Sequence, residues 1–186
     1  MVAAVTKTYS FEEYCQYDDG TNTRYELENG CLLKMTPPSF RHILIADQLG
    51  DHLKQEIIRL GLPLYCLRET GVRIGYEKSR IADLVVIDKA MVMESLDKAG
   101  IYCATPSLIV EIVSPESVTR DYRYKRSEYA AIAVPEYWIV DQQEKKVTIL
   151  IFNEGLYDET VFIGSEAIAS PQFPELVLTP QKLFQI

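Results

Sequence analysis

Two short segments of this chain are apolar along almost their whole length, and each contains a single carboxylate. The first, 81–87, reads IADLVVI and includes Asp83; the second, 108–113, reads LIVEIV and includes Glu111. A continuous apolar run of this length is typical of a β-strand covered on both faces. The chain is therefore expected to fold around a sheet that is covered on both faces and that contains two acidic side chains.

Burial of these two acids calls for a partner. An unpaired carboxylate inside a protein costs several kcal/mol or takes up a proton. Mg²⁺ is usually held by one or two carboxylates, with water and substrate phosphate completing its ligands, and two neighbouring strands can direct Asp83 and Glu111 to one point. The alternative is that each carboxylate lies at a strand end and forms an ordinary salt bridge.

The other segments predict alternating helices and strands. Ser10 and Glu13 form a capping-box pattern before a short helix, Asn29-Gly30 predicts a hairpin turn, and Ser39 can cap a long helix that Gly61 ends. Further predictions are strands at 64–67, 71–76 and 137–140, a connection with one helical turn at 88–106, a helix from Ser117 or Thr119 to 132, an antiparallel meander at 147–152 and 157–163, and a last helical turn after Pro180.

Size and composition limit the class of protein. The 186 residues, 47% of them hydrophobic, fit a single α/β domain over 1–186, and no apolar run approaches the roughly 20 residues of a membrane span. No export signal is visible, so a cytoplasmic location is expected. Four widely spaced cysteines suggest neither a zinc site nor a disulfide framework, and we expect free, mostly buried thiols: Cys15, Cys31, Cys66 and Cys103.

The net charge of −8 argues against a surface that binds nucleic acid everywhere, since such affinity comes mainly from Lys and Arg. The charge is reversed locally in the segment 120–126. It contains one acid, Asp121, and four cations, which are Arg120, Arg123, Lys125 and Arg126. A run of this kind is either a solvated helix face or a local groove for nucleic acid.

Several motifs together resemble the Uma2 or DUF820 family of the PD-(D/E)XK nuclease superfamily. In chain order they are YELENG at 25–30, PPS at 37–39 with His42, ADLVV at 82–86, VEIVSP at 110–115, Asp121 with Lys125 and Tyr129, and VPEYWIVD at 134–141. The resemblance covers nearly the whole chain. It implies a restriction-endonuclease-like core, with a mixed β-sheet flanked by helices.

The resemblance also implies roles for individual residues. Asp83 and Glu111 would be metal ligands for Mg²⁺, with Mn²⁺ as a possible substitute, and Lys125 would be the catalytic lysine. Two positions depart from the family pattern. Ala82 replaces a proline before the aspartate, and Val113 stands where the E-x-K motif should hold lysine, so Lys125 is expected to reach the same space from the following helix.

Three further assignments remain open at this stage. Glu26 matches a family glutamate and is either a further ligand or part of a structural salt bridge. His42 could hydrogen-bond a ligating carboxylate or serve in capping and packing. The aromatic residues Tyr129, Tyr137 and Trp138 are expected in the core rather than in base stacking.

The expected activity is metal-dependent endonucleolytic hydrolysis of phosphodiester bonds. By analogy with the family, DNA is the expected substrate. Arg120, Arg123 and Arg126 are the candidate nucleic-acid contacts, and a homodimer is the common arrangement for small nucleases that cut both strands. The alternative is a nuclease-fold module that binds nucleic acid or supports assembly with weak or no cleavage.

Overall fold

A computed structural model describes residues 7–186. Within these residues the strands are β1 (Tyr25–Glu28), β2 (Cys31–Lys34), β3 (Leu64–Gly75), β4 (Lys78–Asp88), β5 (Ile101–Tyr102), β6 (Leu108–Val113), β7 (Glu136–Asp141), β8 (Lys146–Asn153) and β9 (Leu156–Ile163). The helices are α1 (Phe11–Cys15), α2 (Phe40–Arg59), α3 (Lys89–Met93), α4 (Arg126–Ala131) and α5 (Pro180–Leu183). A π-helical turn, Arg120–Lys125, leads directly into α4.

The strands form one mixed sheet in the order β2-β1-β4-β6-β7-β8-β9, with β3 paired to β4 and β5 paired to β3. β6 and β7 are parallel, and the π-turn with α4 makes the crossover connection that such a pair requires. β7, β8 and β9 are antiparallel neighbours. The structure thus confirms the predicted mixed α/β fold and its C-terminal meander.

Both faces of the sheet are covered, as the apolar strands predict. One face packs against α2 and the C-terminal segment, through residues that include Leu49, Leu53, Phe173 and Leu178. The opposite face packs against α4 and the segment that follows it, through residues that include Tyr129 and Val134. In the described residues no helix is both long and apolar enough to cross a membrane.

Local sequence signals fix several element ends. Ser10 and Glu13 form the reciprocal capping box at α1, and the side chain of Ser39 caps α2 by accepting from the amide of His42. Asn29 and Gly30 both have positive φ, 50° and 79°, as a type I′ hairpin turn requires.

Other predictions were wrong in detail. The segments 64–67 and 71–76 form one strand, β3, and the short strand β5 was missed in the connection after β4. The helix after β6 begins with a π-turn, and neither Ser117 nor Thr119 supplies an ordinary side-chain cap. All four cysteines are free as expected, but only Cys66 is buried.

The strand β4 rotates about its own axis at Asp83, so that its side chains change faces of the sheet. Leu84 packs with the cluster under α2, whereas Ala82, two residues earlier, packs with the cluster on the opposite face. Residues two apart in a regular strand share a face, so the chain rotates between them. The partner strand β3 rotates at the matching point, where Glu69 has φ 49° and is unpaired between Arg68 and Thr70, which keep the same register. Because of this rotation, the Asp83 side chain does not pack into the apolar cluster on either face of the sheet.

A buried arginine joins three elements beside this point. Arg80 on β4 is 1% exposed, and its guanidinium donates to Glu26 and Glu28 of β1 and to Glu128 of α4, at 2.7–3.2 Å. One buried cation thus neutralises part of the charge of three carboxylates and connects the hairpin, the sheet and α4.

Replacing this arginine should therefore be costly. We expect Arg80→Met to lower the free energy of unfolding by about 3–5 kcal/mol, because the buried carboxylate of Glu26 loses its partner. Urea unfolding measures the effect. The control is Arg68→Met on β3, whose 2.6 Å pair with Asp47 is at the surface, and which should change stability by about 1 kcal/mol or less. Equal effects of the two substitutions would show that the Arg80 cluster does not stabilise the fold.

Candidate active site

The site lies at a fork between β4 and β6. Backbone pairing between the two strands ends at Leu84 and Val110. Beyond that pair, the amide of Ile112 donates to Asp83 Oδ2 at 2.6 Å, so a side-chain carboxylate replaces a backbone acceptor. β6 meanwhile continues to pair with β7 as far as Val113. The fork brings Asp83 and Glu111 to the same end of neighbouring strands, as the sequence predicts.

Asp83 is held from two sides. Its Oδ1 lies 2.9 Å from Nε2 of His42, which belongs to the first turn of α2, and its Oδ2 accepts from β6. The side chain of Asp83 is 21% exposed, whereas that of His42 is 13% exposed. His42 therefore contacts a candidate metal ligand directly, which is the first of the two roles considered for it.

Glu111 is buried, and both of its oxygens contact side chains of the crossover connection. Lys125 Nζ lies 2.8 Å from Oε2, and the hydroxyl of Tyr129 donates to Oε1 at 2.5 Å. Lys125 is 3% exposed and Tyr129 is fully buried. The lysine thus reaches the glutamate from the helical segment after β6, whereas Val113, at the E-x-K position, is fully buried in the apolar core.

A second carboxylate faces the same ammonium. Asp121, in the π-turn, has its Oδ1 3.4 Å from Lys125 Nζ, and its Oδ2 accepts from the hydroxyl of Ser117. The hydroxyl of Tyr137 donates to the main-chain carbonyl of Asp121 at 3.0 Å. π-helical turns are frequent at functional sites, and this one places Asp121 and Lys125 side by side.

Charge and burial shift the pKa values of this group. Burial is the main reason that the pKa of Glu111 is raised to about 8; Lys125 opposes the shift, and the negative charges of Asp83 and Asp121 add to it. Burial also disfavours the charged form of Lys125, but the carboxylates around it, led by Glu111 and Asp121, outweigh that effect and raise its pKa. The ammonium is therefore protonated at neutral pH.

The oxygen donors at the fork are carboxylates, the ligand type that hard divalent cations prefer. Lys125 pairs with Glu111 and Asp121, and Asp83 lies nearby, so three acidic side chains surround one ammonium in a largely buried place. In residues 7–186 no group of three or more His, Cys, Asp or Glu side chains is arranged to hold a metal. Two protein carboxylates, Asp83 and Glu111, completed by water and substrate, match how Mg²⁺ is usually bound.

Glu26 has structural partners. Its Oε2 accepts from Arg80 and its Oε1 accepts from the amide of Ile81, each at 3.1 Å. Both oxygens are thus engaged at a position that is 1% exposed. The geometry favours the salt-bridge alternative for Glu26 over direct metal ligation.

The three arginines after β6 are not equivalent. Arg126 donates to Glu159 at 2.5 Å and to the carbonyl of Tyr157 at 3.0 Å, so it joins α4 to β9. Arg123 is exposed, and the Nε of Arg120 is buried without a hydrogen bond. Within the described part of the chain, neither Arg120 nor Arg123 forms a salt bridge. These two arginines remain the candidate phosphate contacts.

Sequence reasoning missed three parts of the site. It gave Asp121 no role and placed Tyr129 in the core, although Tyr129 is both buried and bonded to Glu111. The spacing of four places Asp121, Lys125 and Tyr129 on one helix face, but it does not indicate which groups Asp121 and Tyr129 contact. Nothing in the sequence indicates that the Ile112 amide binds Asp83.

Comparison with known proteins adds independent information. The family model Uma2, described as "Putative restriction endonuclease", matches residues 11–181. The crystal structure of "a putative nuclease belonging to DUF820" from Anabaena variabilis ATCC 29413 superposes with a TM-score of 0.77, covering 94% of this chain and 97% of that chain at 18% identity. No curated protein matches significantly. At this identity, the structural match establishes the fold alone.

The raised pKa of Glu111 predicts a pH-dependent effect on stability. Between the ordinary value of 4.5 and about 8, the folded protein keeps a proton that the unfolded chain has released, so the contribution of Glu111 to stability falls as pH rises. Glu111→Gln removes this loss. The free energy of unfolding of the variant, minus that of the parent, should therefore increase from about pH 5 to about pH 8.

Urea unfolding at a series of pH values measures this difference, and the exposed substitution Glu116→Gln gives the baseline. A difference between Glu111→Gln and the parent that stays constant with pH would show that burial does not disfavour the Glu111 carboxylate.

Proposed function

Because this chain belongs to the Uma2 family, whose model matches residues 11–181, we propose that it is a divalent-metal-dependent endonuclease. It would hydrolyse phosphodiester bonds, and DNA is the expected substrate. The observation that carries the proposal is the grouping of Asp83, Glu111 and Lys125 at the fork between β4 and β6. These are the residue types that the superfamily uses for metal-assisted phosphodiester cleavage.

Asp83 and Glu111 would hold the metal. Asp83 is the more accessible of the two, whereas Glu111 lies deeper and is oriented by Tyr129. When bound, a divalent metal lowers the pKa of a coordinated water and offsets the negative charge that develops on the phosphate.

Lys125 would act by its charge. Its raised pKa keeps the ammonium protonated, so it is unsuited to remove a proton from water. A positive group fixed beside Glu111 can instead stabilise the negative charge of the nucleophile and of the phosphate oxygens during the reaction. The low exposure of Lys125 strengthens this effect, because water screens the charge less inside the protein.

His42 and Tyr129 would keep the two ligands in place. His42 connects Asp83 to α2, and Tyr129 connects Glu111 to α4. The pKa of the Tyr129 hydroxyl is raised well above its ordinary value by burial and by the nearby Glu111, so it remains a donor at neutral pH. The two proposed ligands are thus oriented from opposite faces of the sheet, Asp83 by α2 and Glu111 by α4.

Arg120 and Arg123 would contact the phosphate backbone of the substrate. They lie in the π-turn that also contains Lys125, so phosphates bound there would be beside the site. The overall charge of −8 restricts favourable contact to such local positions. A homodimer, which would allow cleavage of both strands, stays a prediction.

The first test of this function compares two substitutions in the site. Asp83→Asn should weaken Mn²⁺ binding and abolish cleavage, because it removes a charged ligand. Lys125→Met should still bind Mn²⁺ but reduce cleavage by roughly 10²–10³, because it removes only charge stabilisation. Calorimetric titration with Mn²⁺ and cleavage of plasmid DNA with Mg²⁺ or Mn²⁺ give the two readouts, with Lys98→Met on an exposed loop as the matched control.

The outcomes separate the alternatives. If Lys125→Met cleaves like the parent, another cation performs the role assigned to Lys125. If the parent binds metal and DNA but does not cleave, the chain is a nuclease-fold binding module.

Binding of DNA gives a second test. Replacing Arg120 and Arg123 by Gln should weaken DNA binding and reduce the slope of log Kd against log salt concentration by about 1–2, because each arginine that contacts a phosphate displaces about one counterion. Fluorescence anisotropy in Ca²⁺ measures binding under conditions chosen to limit cleavage. Replacing the exposed pair Lys89 and Lys98 by Gln removes the same charge elsewhere and should leave the slope unchanged.

A further inference from the structure

Asp121 contains an unusual buried atom. The residue is 2% exposed, and its Oδ1 forms no hydrogen bond. Its other oxygen accepts from Ser117, and its main-chain carbonyl accepts from Tyr137. A carboxylate oxygen that is buried and has no hydrogen bond costs free energy, so its presence requires an explanation.

The nearest cation to this oxygen is the ammonium of Lys125. That ammonium lies 2.8 Å from Glu111 and 3.4 Å from Asp121, so it forms ion pairs with both carboxylates, and the pair with Glu111 is the shorter. A charge-assisted hydrogen bond is usually about 2.7–2.9 Å long. A movement of roughly half an ångström towards Asp121 would therefore complete a bond there.

A divalent cation on Glu111 would compete with Lys125 for the same carboxylate. Tyr129 already donates to Oε1 of Glu111, and Lys125 occupies the side of Oε2. Two cations at one buried carboxylate repel each other strongly, since little water screens them. The ammonium must then find another acceptor nearby or leave the site.

We propose that Asp121 is a positioning residue that receives the Lys125 ammonium when Glu111 binds the divalent cation, an inference that rests on the proposed nuclease function. Asp121 is well suited to this role because Ser117 and Tyr137 fix it, and because it lies one turn before Lys125 in the same helical segment. The exchange keeps the ammonium inside the site for catalysis while Glu111 becomes available as a ligand.

The proposal predicts how two substitutions combine. Asp121→Asn should weaken Mn²⁺ binding about tenfold, because the displaced ammonium loses its acceptor. Lys125→Met should strengthen Mn²⁺ binding, because it removes the competing cation. In the double variant the effect of Asp121→Asn should largely disappear, because no ammonium needs a second acceptor. A simple attraction between Asp121 and the metal predicts instead that Asp121→Asn weakens binding equally with or without Lys125.

Calorimetric titration of the full chain with Mn²⁺ tests this with four proteins: the parent, the two single variants and the double variant. The control is Asp141→Asn, another buried aspartate whose oxygens accept from Tyr122 and from turn amides; its effect should be the same in the parent and in Lys125→Met. If Asp121→Asn does not fold, Ser117→Ala, which loosens Asp121, should weaken binding in the same direction by a few-fold and again only when Lys125 is present.

The results distinguish a failure of the metal site from a failure of the role proposed for Asp121. A parent that binds no Mn²⁺, or whose affinity is unchanged by Asp83→Asn, overturns the metal site and this proposal together. A parent that binds Mn²⁺ through Asp83, combined with equal effects of Asp121→Asn in both backgrounds, overturns the positioning role of Asp121 alone.

Discussion

The ammonium of Lys125, buried beside the carboxylates of Glu111 and Asp121, is the interaction on which the rest of the site depends. Neither Glu111 nor Lys125 could be buried alone without a large cost in free energy. Because Lys125 comes from the crossover connection and Glu111 comes from β6, the pair also fixes that connection on the sheet. The charges proposed to act in catalysis are thus the same charges that connect β6 to the crossover segment.

The position of Asp83 depends on a distortion of the sheet. Both β3 and β4 rotate at this point, and Glu69 adopts a positive φ that non-glycine residues seldom have. Such strain persists only when the surrounding structure imposes it, and here paired residues on both sides keep the register continuous. In return, Asp83 reaches His42 on one side and the Ile112 amide of β6 on the other. A regular strand would direct this side chain to one face only.

Local signals in the sequence predicted the elements around the site, whereas the distortion and the contacts between distant segments were not predictable. Turn chemistry at Asn29-Gly30 and apolar runs around Asp83 and Glu111 are local signals, so the hairpin and the main strands were predictable. The family was recognised from motifs along the whole chain. β3 was divided into two strands because its pattern breaks where it rotates at Glu69. The π-turn and the bond from Tyr129 to Glu111 were missed because they depend on contacts between distant segments, which no local period records.

The lysine that contacts Glu111 comes from the helical segment and not from β6, and its environment differs accordingly. At the usual E-x-K position, Val113 is buried and pairs with Asp141 on β7, and Asp141 already accepts from Tyr122 and from turn amides. An ammonium there would have Glu111 on the same strand face but would lie within an apolar cluster. From the helical segment, Lys125 instead meets Asp121, whose Oδ1 has no other bond. Its origin in the helical segment therefore gives Lys125 a second carboxylate, that of Asp121. Under the proposal, the ammonium moves from Glu111 to Asp121 and stays within the site.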